Sequence, residues 1–334
     1  MPHISHFISY ILSKMRHFII NAVFFSFFLT GCYNSGSGEK GEIIIFHAGS
    51  LSVPLRQLKE IYEQRNPGVR ILLEPAGSLV CARKITELKK PCDIMASADY
   101  FVINELLMPD YTDWSIRFAT NEIVIAYGEK AKYSTEINST NWMEILLRDD
   151  VIYGRSDPDA DPCGYRSVLA MMLAESHYNL PGLTSKMTSK NKDYIRPKEV
   201  DLVALIESNA IDYMFQYKSV AIQHNLKYIE LPDEINLSDP SMGVLYKTVS
   251  MNIRGNKPDE KIKVLGEYIN YSMTIPFNAV NREGAVDFMC FILSEEGSGI
   301  FKTNGQDPII PFSTEQPEKI PSKLLNYLPE NKTK

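Results

Sequence analysis

The residues Ala-Gly-Ser-Leu occur twice, at Ala48–Leu51 and at Ala76–Leu79, and each copy sits where an apolar strand-like run gives way to helical spacing. A glycine lets the backbone approach a ligand, and a serine adds a hydroxyl donor. The helix start behind each turn offers unpaired N–H groups and a partial positive charge. Gly49, Ser50 and Ser78 could thus hold an anion without any basic side chain. The same two serines could equally be ordinary helix caps. Neither copy has the glycine spacing or the lysine of a phosphate loop or dinucleotide fingerprint.

A second polar cluster runs from Ser156 to Arg166 and includes Asp157, Asp159 and Asp161. A calcium loop is excluded by the missing glycine and distal glutamate. Asp161 followed by Pro162 reads as an N-cap with proline at the first helical position. The N–H groups of Cys163 and Gly164 would then face a cleft. Gln216, in Asp212–Ser219, falls at the cleft end of another strand-to-helix junction. An enzymatic alternative makes Cys163 a nucleophile at a helix start with His47 or His224 as base. No third orienting group accompanies it.

These turns need strands and helices to carry them. Apolar strand runs are expected at Ile43–Phe46, Val69–Leu73, Asp93–Ala98, Thr120–Tyr127, Asp149–Tyr153, Ile211–Tyr217 and Lys227–Leu231, and the chain then runs through Val244–Ile253. Helices are expected after each AGSL turn, near Phe101–Leu107, and over Tyr165–Glu175, Val200–Ile206, Ser219–Asn225 and Ala285–Leu293. This alternation argues an α/β class with mixed, mostly parallel sheets. Two lobes fit better than one long sheet: residues 42–118 with 250–316, and residues 119–249, followed by a polar C-terminal tail at 317–334. A ligand cleft would lie between them, beyond the carboxyl ends of the strands.

The N-terminus reads as an export signal. Lys14, Arg16 and His17 precede the apolar run Phe18–Leu29, and Leu29-Thr30-Gly31-Cys32 closes it. Leu-Thr-Gly-Cys resembles a bacterial lipobox, in which Cys32 is lipidated, with residues 1–31 as signal peptide and the Gly/Ser-containing residues 32–41 as tether. The chain carries 35 basic and 41 acidic residues, and the signal removes only two basic ones. An acidic exported protein is a poor partner for nucleic acid or for anionic lipid. Cys81, Cys92, Cys163 and Cys290 show no zinc-ligand spacing, and Cys81 with Cys92 is the only pair close enough in sequence to suggest a disulfide.

A family resemblance rests on His47-Ala48-Gly49-Ser50-Leu51, Pro75-Ala76-Gly77-Ser78, Ser97-Ala98-Asp99-Tyr100, Asp161-Pro162-Cys163-Gly164-Tyr165-Arg166, Ile195-Arg196-Pro197-Lys198-Glu199 and Tyr217–His224. Together these resemble the tungstate/molybdate-binding proteins of the archaeal type, the substrate-binding components of ABC importers. The resemblance covers nearly all of residues 42–312. It implies a type II periplasmic-binding-protein fold with an oxyanion held between the lobes, no catalysis and no cofactor. It also implies a membrane permease as partner and a monomer anchored on the extracytoplasmic side.

By the same resemblance the AGS serines and their backbone donate to the oxyanion, and Asp161 approaches its metal atom. A family glutamate that would complete six-fold coordination aligns with Gln216, whose neutral amide oxygen is a weaker donor to hard W(VI) or Mo(VI). Sulfate or phosphate remains the alternative ligand. The address is testable on its own: Cys32→Ser should leave the chain uncleaved by the lipoprotein peptidase. Mass spectrometry that finds cleavage elsewhere, with no lipid at residue 32, would refute the lipobox.

Overall fold

The computed structural model describes residues 41–257 and 259–329. The expected signal segment, Cys32 and the expected tether up to residue 40 lie outside them. Thirteen strands are formed: β1 (Glu42–His47), β2 (Arg70–Pro75), β3 (Ile94–Ser97), β4 (Ile116–Asn121), β5 (Ile123–Tyr127), β6 (Tyr153–Ser156), β7 (Ile195–Arg196), β8 (Tyr213–Tyr217), β9 (Lys227–Glu230), β10 (Ser250–Arg254), β11 (Lys261–Leu265), β12 (Ile269–Thr274) and β13 (Asp307–Ser313). They build a six-stranded sheet in the order β13-β4-β12-β3-β1-β2, a five-stranded sheet β7-β6-β8-β5-β9, and a two-stranded ribbon β10-β11. The first sheet takes its strands from both ends of this region and the second from its middle.

Both sheets are more mixed than the alternation of elements suggests. β1 pairs in parallel with β2 and β3, while β12, β4 and β13 add antiparallel neighbours. In the second sheet β6 is parallel to β7 and β8, and β5 is antiparallel to β8 and β9. The antiparallel pairs include strands next to the crossings between the sheets, β4, β5 and β12, as well as β9 and β13, which follow helices of their own lobe. Helices cover the faces, among them Ser52–Arg65, Ser78–Thr86 and Arg282–Ile292 on the first sheet's side of the chain. Phe118 and Phe301 meet with ring centroids 5.1 Å apart in one core, and Trp142 and Phe215 at 5.8 Å in the other. Such aromatic pairs add to the burial of area that stabilises each layer.

The apolar run Thr120–Tyr127, expected as one strand, is divided between the two sheets. β4 ends at Asn121, Glu122 stands alone, and β5 begins at Ile123. Glu122 is pinned to the second lobe, because Lys218 donates to it from both backbone N–H (3.0 Å) and Nζ (2.8 Å). The run expected at Asp149–Tyr153 forms a strand only from Tyr153; before it, Asp212 accepts the Ile152 N–H at 2.9 Å and holds a turn. Val244–Ile253, given no element in the sequence reading, overlaps the short helix Gly243–Tyr246 and then the first strand of the ribbon. The polar C-terminal tail packs in part, with Ile320 and Leu324 buried.

The lobes meet through buried polar contacts as well as apolar ones. Asp99 begins the helix Tyr100–Leu106, accepting the Phe101 N–H at 3.1 Å. Its other oxygen accepts from Tyr165 Oη and from Arg166 Nε, both at 2.8 Å, and both donors stand on the helix Pro162–His177. Asp99 and Arg166 are almost wholly buried. Removing one partner from such a pair strands the other's charge, at a cost of about 3–5 kcal/mol. Asp99→Asn should therefore lower unfolding stability by several kcal/mol in denaturant titrations; a loss under about 1 kcal/mol would show that Arg166 is satisfied by the Leu265 and Glu267 carbonyls it also contacts.

Candidate functional site

β1, β2 and β3 run parallel, so their carboxyl ends open on one side. The turn after β1 is tied to its neighbours: Ala48 N–H donates to Ala96 and Ala76 N–H to His47, each at 3.0 Å. A single 3-10 turn, Gly49–Leu51, then leads directly into the helix Ser52–Arg65. The second turn leads into Ser78–Thr86. Neither serine caps its helix by a side-chain hydrogen bond. Ser50 Oγ pairs instead with Tyr271 Oη at 2.9 Å, and Ser78 Oγ accepts the Ala98 N–H at 3.0 Å. The capping alternative for these serines is thereby replaced by longer-range bonds within the cleft wall.

From the other lobe comes Asp161, the N-cap of the helix Pro162–His177, with Pro162 at its first position. Its Oδ1 accepts the Cys163 N–H at 3.0 Å and its Oδ2 accepts the Glu199 N–H at 2.7 Å. Glu199, fully buried, turns its carboxylate across the cleft to accept the Ser50 N–H through Oε1, while Oε2 has no partner. Burial, followed by the nearby Glu199 carboxylate, pushes the Asp161 carboxyl well above its ordinary pKa. Among the described residues, no Lys or Arg hydrogen-bonds to the side chains of Ser50, Ser78, Asp161 or Glu199.

Gln216 is also wholly buried, but its amide is engaged elsewhere. Nε2 donates to the Glu199 carbonyl at 2.9 Å, and Oε1 accepts the Tyr217 N–H at 2.8 Å and the Cys163 thiol at 3.7 Å. It thus grips the backbone of Glu199, while the Glu199 side chain is the one that stands beside Asp161. Glu199 lies in a quoted motif, yet sequence reasoning gave it no role. It follows the short strand β7 and precedes the helix Asp201–Glu207, and nothing in its spacing signals which way it points. Tyr217 and Tyr271 were missed as well. Their rings lie 5.9 Å apart, and the buried Tyr217 hydroxyl has no partner.

The enzymatic reading fails on electrostatics and geometry. Burial raises the Cys163 thiol well above its ordinary pKa, the reverse of an activated thiolate. His47 is lowered to about 4 by burial, and its Nδ1 donates to the Ala48 carbonyl at 2.8 Å. Neither it nor His224 hydrogen-bonds to the thiol. Cys81, Cys92, Cys163 and Cys290 are all free, so Cys81 and Cys92 form no disulfide.

The arrangement sets the Ser50 N–H and the Ser50 and Ser78 hydroxyls on one side against two buried carboxyl groups on the other. It lacks the nucleophile–base pair that covalent chemistry needs. Comparison with known proteins agrees. Residues 43–306 match the family model described as bacterial extracellular solute-binding protein. A molybdate/tungstate-binding protein WtpA of Pyrococcus abyssi is 45% identical over 316 residues, covering 85% of this chain and 91% of that protein. An uncharacterized solute-binding protein of Petrotoga mobilis is 46% identical over 305 residues, covering 90% and 94%. The periplasmic molybdate-binding protein of Azotobacter vinelandii shares the fold, with a TM-score of 0.57 at 16% identity, covering 79% of this chain and 98% of that one.

The chain belongs to the bacterial extracellular solute-binding protein family, and its members are binding proteins rather than enzymes.

The approach of the lobes is close enough to test. A Cβ on Gly77 would sit 2.3 Å from the Ala160 carbonyl oxygen and 2.9 Å from that of Pro197. Gly77→Ala should leave each lobe folded yet hold the lobes apart, with a larger radius of gyration by small-angle scattering in the presence of ligand and at least a tenfold weaker affinity. Unchanged scattering and affinity would show that the loop bearing Ala160 yields freely.

Proposed function

We propose that this protein captures molybdate or tungstate outside the cytoplasm, as the lipid-anchored binding component of an ABC importer, and hands the anion to its membrane permease. The observation that carries this reading is the pair of buried carboxyl groups, Asp161 and Glu199, set opposite the Ser50 N–H. A buried pair of carboxyl groups with no cation beside it is a poor host for a dianion such as sulfate, whose sulfur accepts no further ligands. A hard Mo(VI) or W(VI) centre can instead take carboxylate oxygens as additional donors. The 45% identity to the Pyrococcus abyssi molybdate/tungstate-binding protein supports the same ligand.

In this reading Gly49, Ser50, Ser78, Pro162 and Cys163 frame the oxyanion, with backbone N–H groups and the two serine hydroxyls as its donors. Asp161 and Glu199 approach the metal atom of the solute. Glu199 takes the place first assigned to Gln216, and Gln216 holds the Glu199 backbone. The unpartnered Glu199 Oε2 and Tyr217 hydroxyl are buried polar atoms that a ligand would satisfy. On binding, an oxyanion oxygen takes over the Ser50 N–H, and the Glu199 carboxylate turns to the metal.

Calorimetry with a panel of oxyanions tests the reading. Molybdate and tungstate should bind at least a thousandfold more tightly than sulfate or phosphate, about 4 kcal/mol. Glu199→Gln should cost molybdate at least tenfold while leaving sulfate unchanged or tighter. Sulfate binding within tenfold of molybdate would sink the proposal and favour a plain tetrahedral-anion site.

A further inference from the structure

Asn121 is the last residue of β4, and only Glu122 separates it from β5 and the other lobe. Its buried side chain lies between this crossing and the anion donors. Asn121 Oδ1 accepts the N–H of Glu122 at 2.9 Å and that of Ser219 at 3.4 Å. A backbone N–H can only donate, so the network fixes which end of the carboxamide is oxygen. Nδ2 must then face the opposite way, and it donates to Tyr271 Oη at 3.0 Å and to Ser219 Oγ at 2.7 Å.

A phenol has one proton. Tyr271 Oη accepts from Asn121, and Ser50 Oγ, 2.9 Å away, is its one other hydrogen-bond partner among the described residues; giving its proton to Ser50 is thus the arrangement that leaves no buried donor unpaired. Ser50 Oγ becomes an acceptor from Tyr271 and keeps its own proton free to donate. The Ser50 carbonyl is occupied by Gln306 Nε2 at 2.9 Å and Gln223 Nε2 at 3.3 Å, so it does not compete for that proton. Every member of the chain Asn121, Tyr271, Ser50 is buried, where hydrogen bonds polarise one another and water cannot reset their direction.

We propose that Asn121 and Tyr271 form a proton-orienting relay that commits the Ser50 hydroxyl to donate to the bound oxyanion. Both are positioning residues: they act through Ser50, and the direction of the relay is set where the chain passes between the lobes. The inference rests on the oxyanion reading of the cleft given above.

The test is a pair of double-mutant cycles read by calorimetry with molybdate. Asn121→Asp replaces the directing donor with a second acceptor, so Tyr271 donates to position 121 and draws the Ser50 proton away from the ligand. It should weaken molybdate binding at least tenfold, and Tyr271→Phe at least threefold. In a Ser50→Ala background each loss should shrink by threefold or more. Repulsion from the new carboxylate acts in both backgrounds and cancels in the cycle, as would a purely structural defect. Losses equal within threefold with and without the Ser50 hydroxyl would overturn the relay. If Asn121→Asp fails to fold by circular dichroism, the Tyr271→Phe cycle decides alone. A wild type that binds no oxyanion overturns the site reading and the relay with it, whereas a binding wild type with uncoupled variants overturns the relay alone.

Discussion

The Asp161 carboxylate is the constraint on which the cleft depends. One oxygen starts the helix Pro162–His177 by accepting the Cys163 N–H, and the other accepts the Glu199 N–H, 38 positions further along the chain. These two bonds bring a helix start and a loop into one wall of the cleft and leave the Glu199 side chain directed at Ser50. Burying a carboxyl group without a cation is costly, and the cost is visible in the raised pKa of Asp161. Five residues on, Arg166 is buried as well, but it has Asp99 to neutralise it. The same helix therefore carries one buried charge paired within the protein and one buried carboxyl group that has only backbone N–H groups and no cation beside it. Strain of this electrostatic kind is characteristic of sites where a ligand completes the set of contacts.

That wall packs closely against the first lobe at both AGSL glycines, against backbone at Gly77 and against a side-chain tip at Gly49. A Cβ on Gly49 would lie 2.9 Å from a Glu199 carboxylate oxygen, and one on Gly77 would meet the Ala160 carbonyl. Farther out, Arg83 donates to the Asp159 carbonyl at 2.6 Å and to the Arg254 carbonyl at 2.7 Å, tying the helix Ser78–Thr86 to both the Asp161 loop and the ribbon. The AGSL glycines thus permit close approach between the lobes. Behind these turns, the crossing at Asn121–Glu122 joins the two sheets with a single intervening residue, and its side chains bond both to the second lobe and to Tyr271 of the first sheet.

Much of this could be read from residues alone. Repeated AGSL turns after apolar runs placed two strand-to-helix junctions side by side, because β1 and β2 are parallel and their ends face the same way. Asp161-Pro162 marked a helix start, since an aspartate oxygen satisfies the first free N–H groups and proline suits the first turn. The acidic balance spoke against nucleic acid and anionic lipid as partners. All of these signals are local, being carried by a few neighbouring residues whose backbone preferences do not depend on the rest of the chain.

What the tertiary structure decided is which side chain stands beside Asp161. Glu199 and Gln216 both reach this region from separate elements, and their polarity alone does not say which one faces the cleft. The answer follows from which group can be satisfied by the surrounding backbone: the Gln216 amide finds both a carbonyl and an N–H, whereas the Glu199 carboxylate has no N–H except that of Ser50. Likewise Ser50 looks like a cap until Tyr271, 221 positions away, is brought within hydrogen-bond distance of it. The division of Thr120–Tyr127 between two sheets has the same origin, because an apolar strand reads alike whether its neighbours belong to one layer or to two. Such choices rest on pairings across long sequence separations, and only the folded chain brings those partners together.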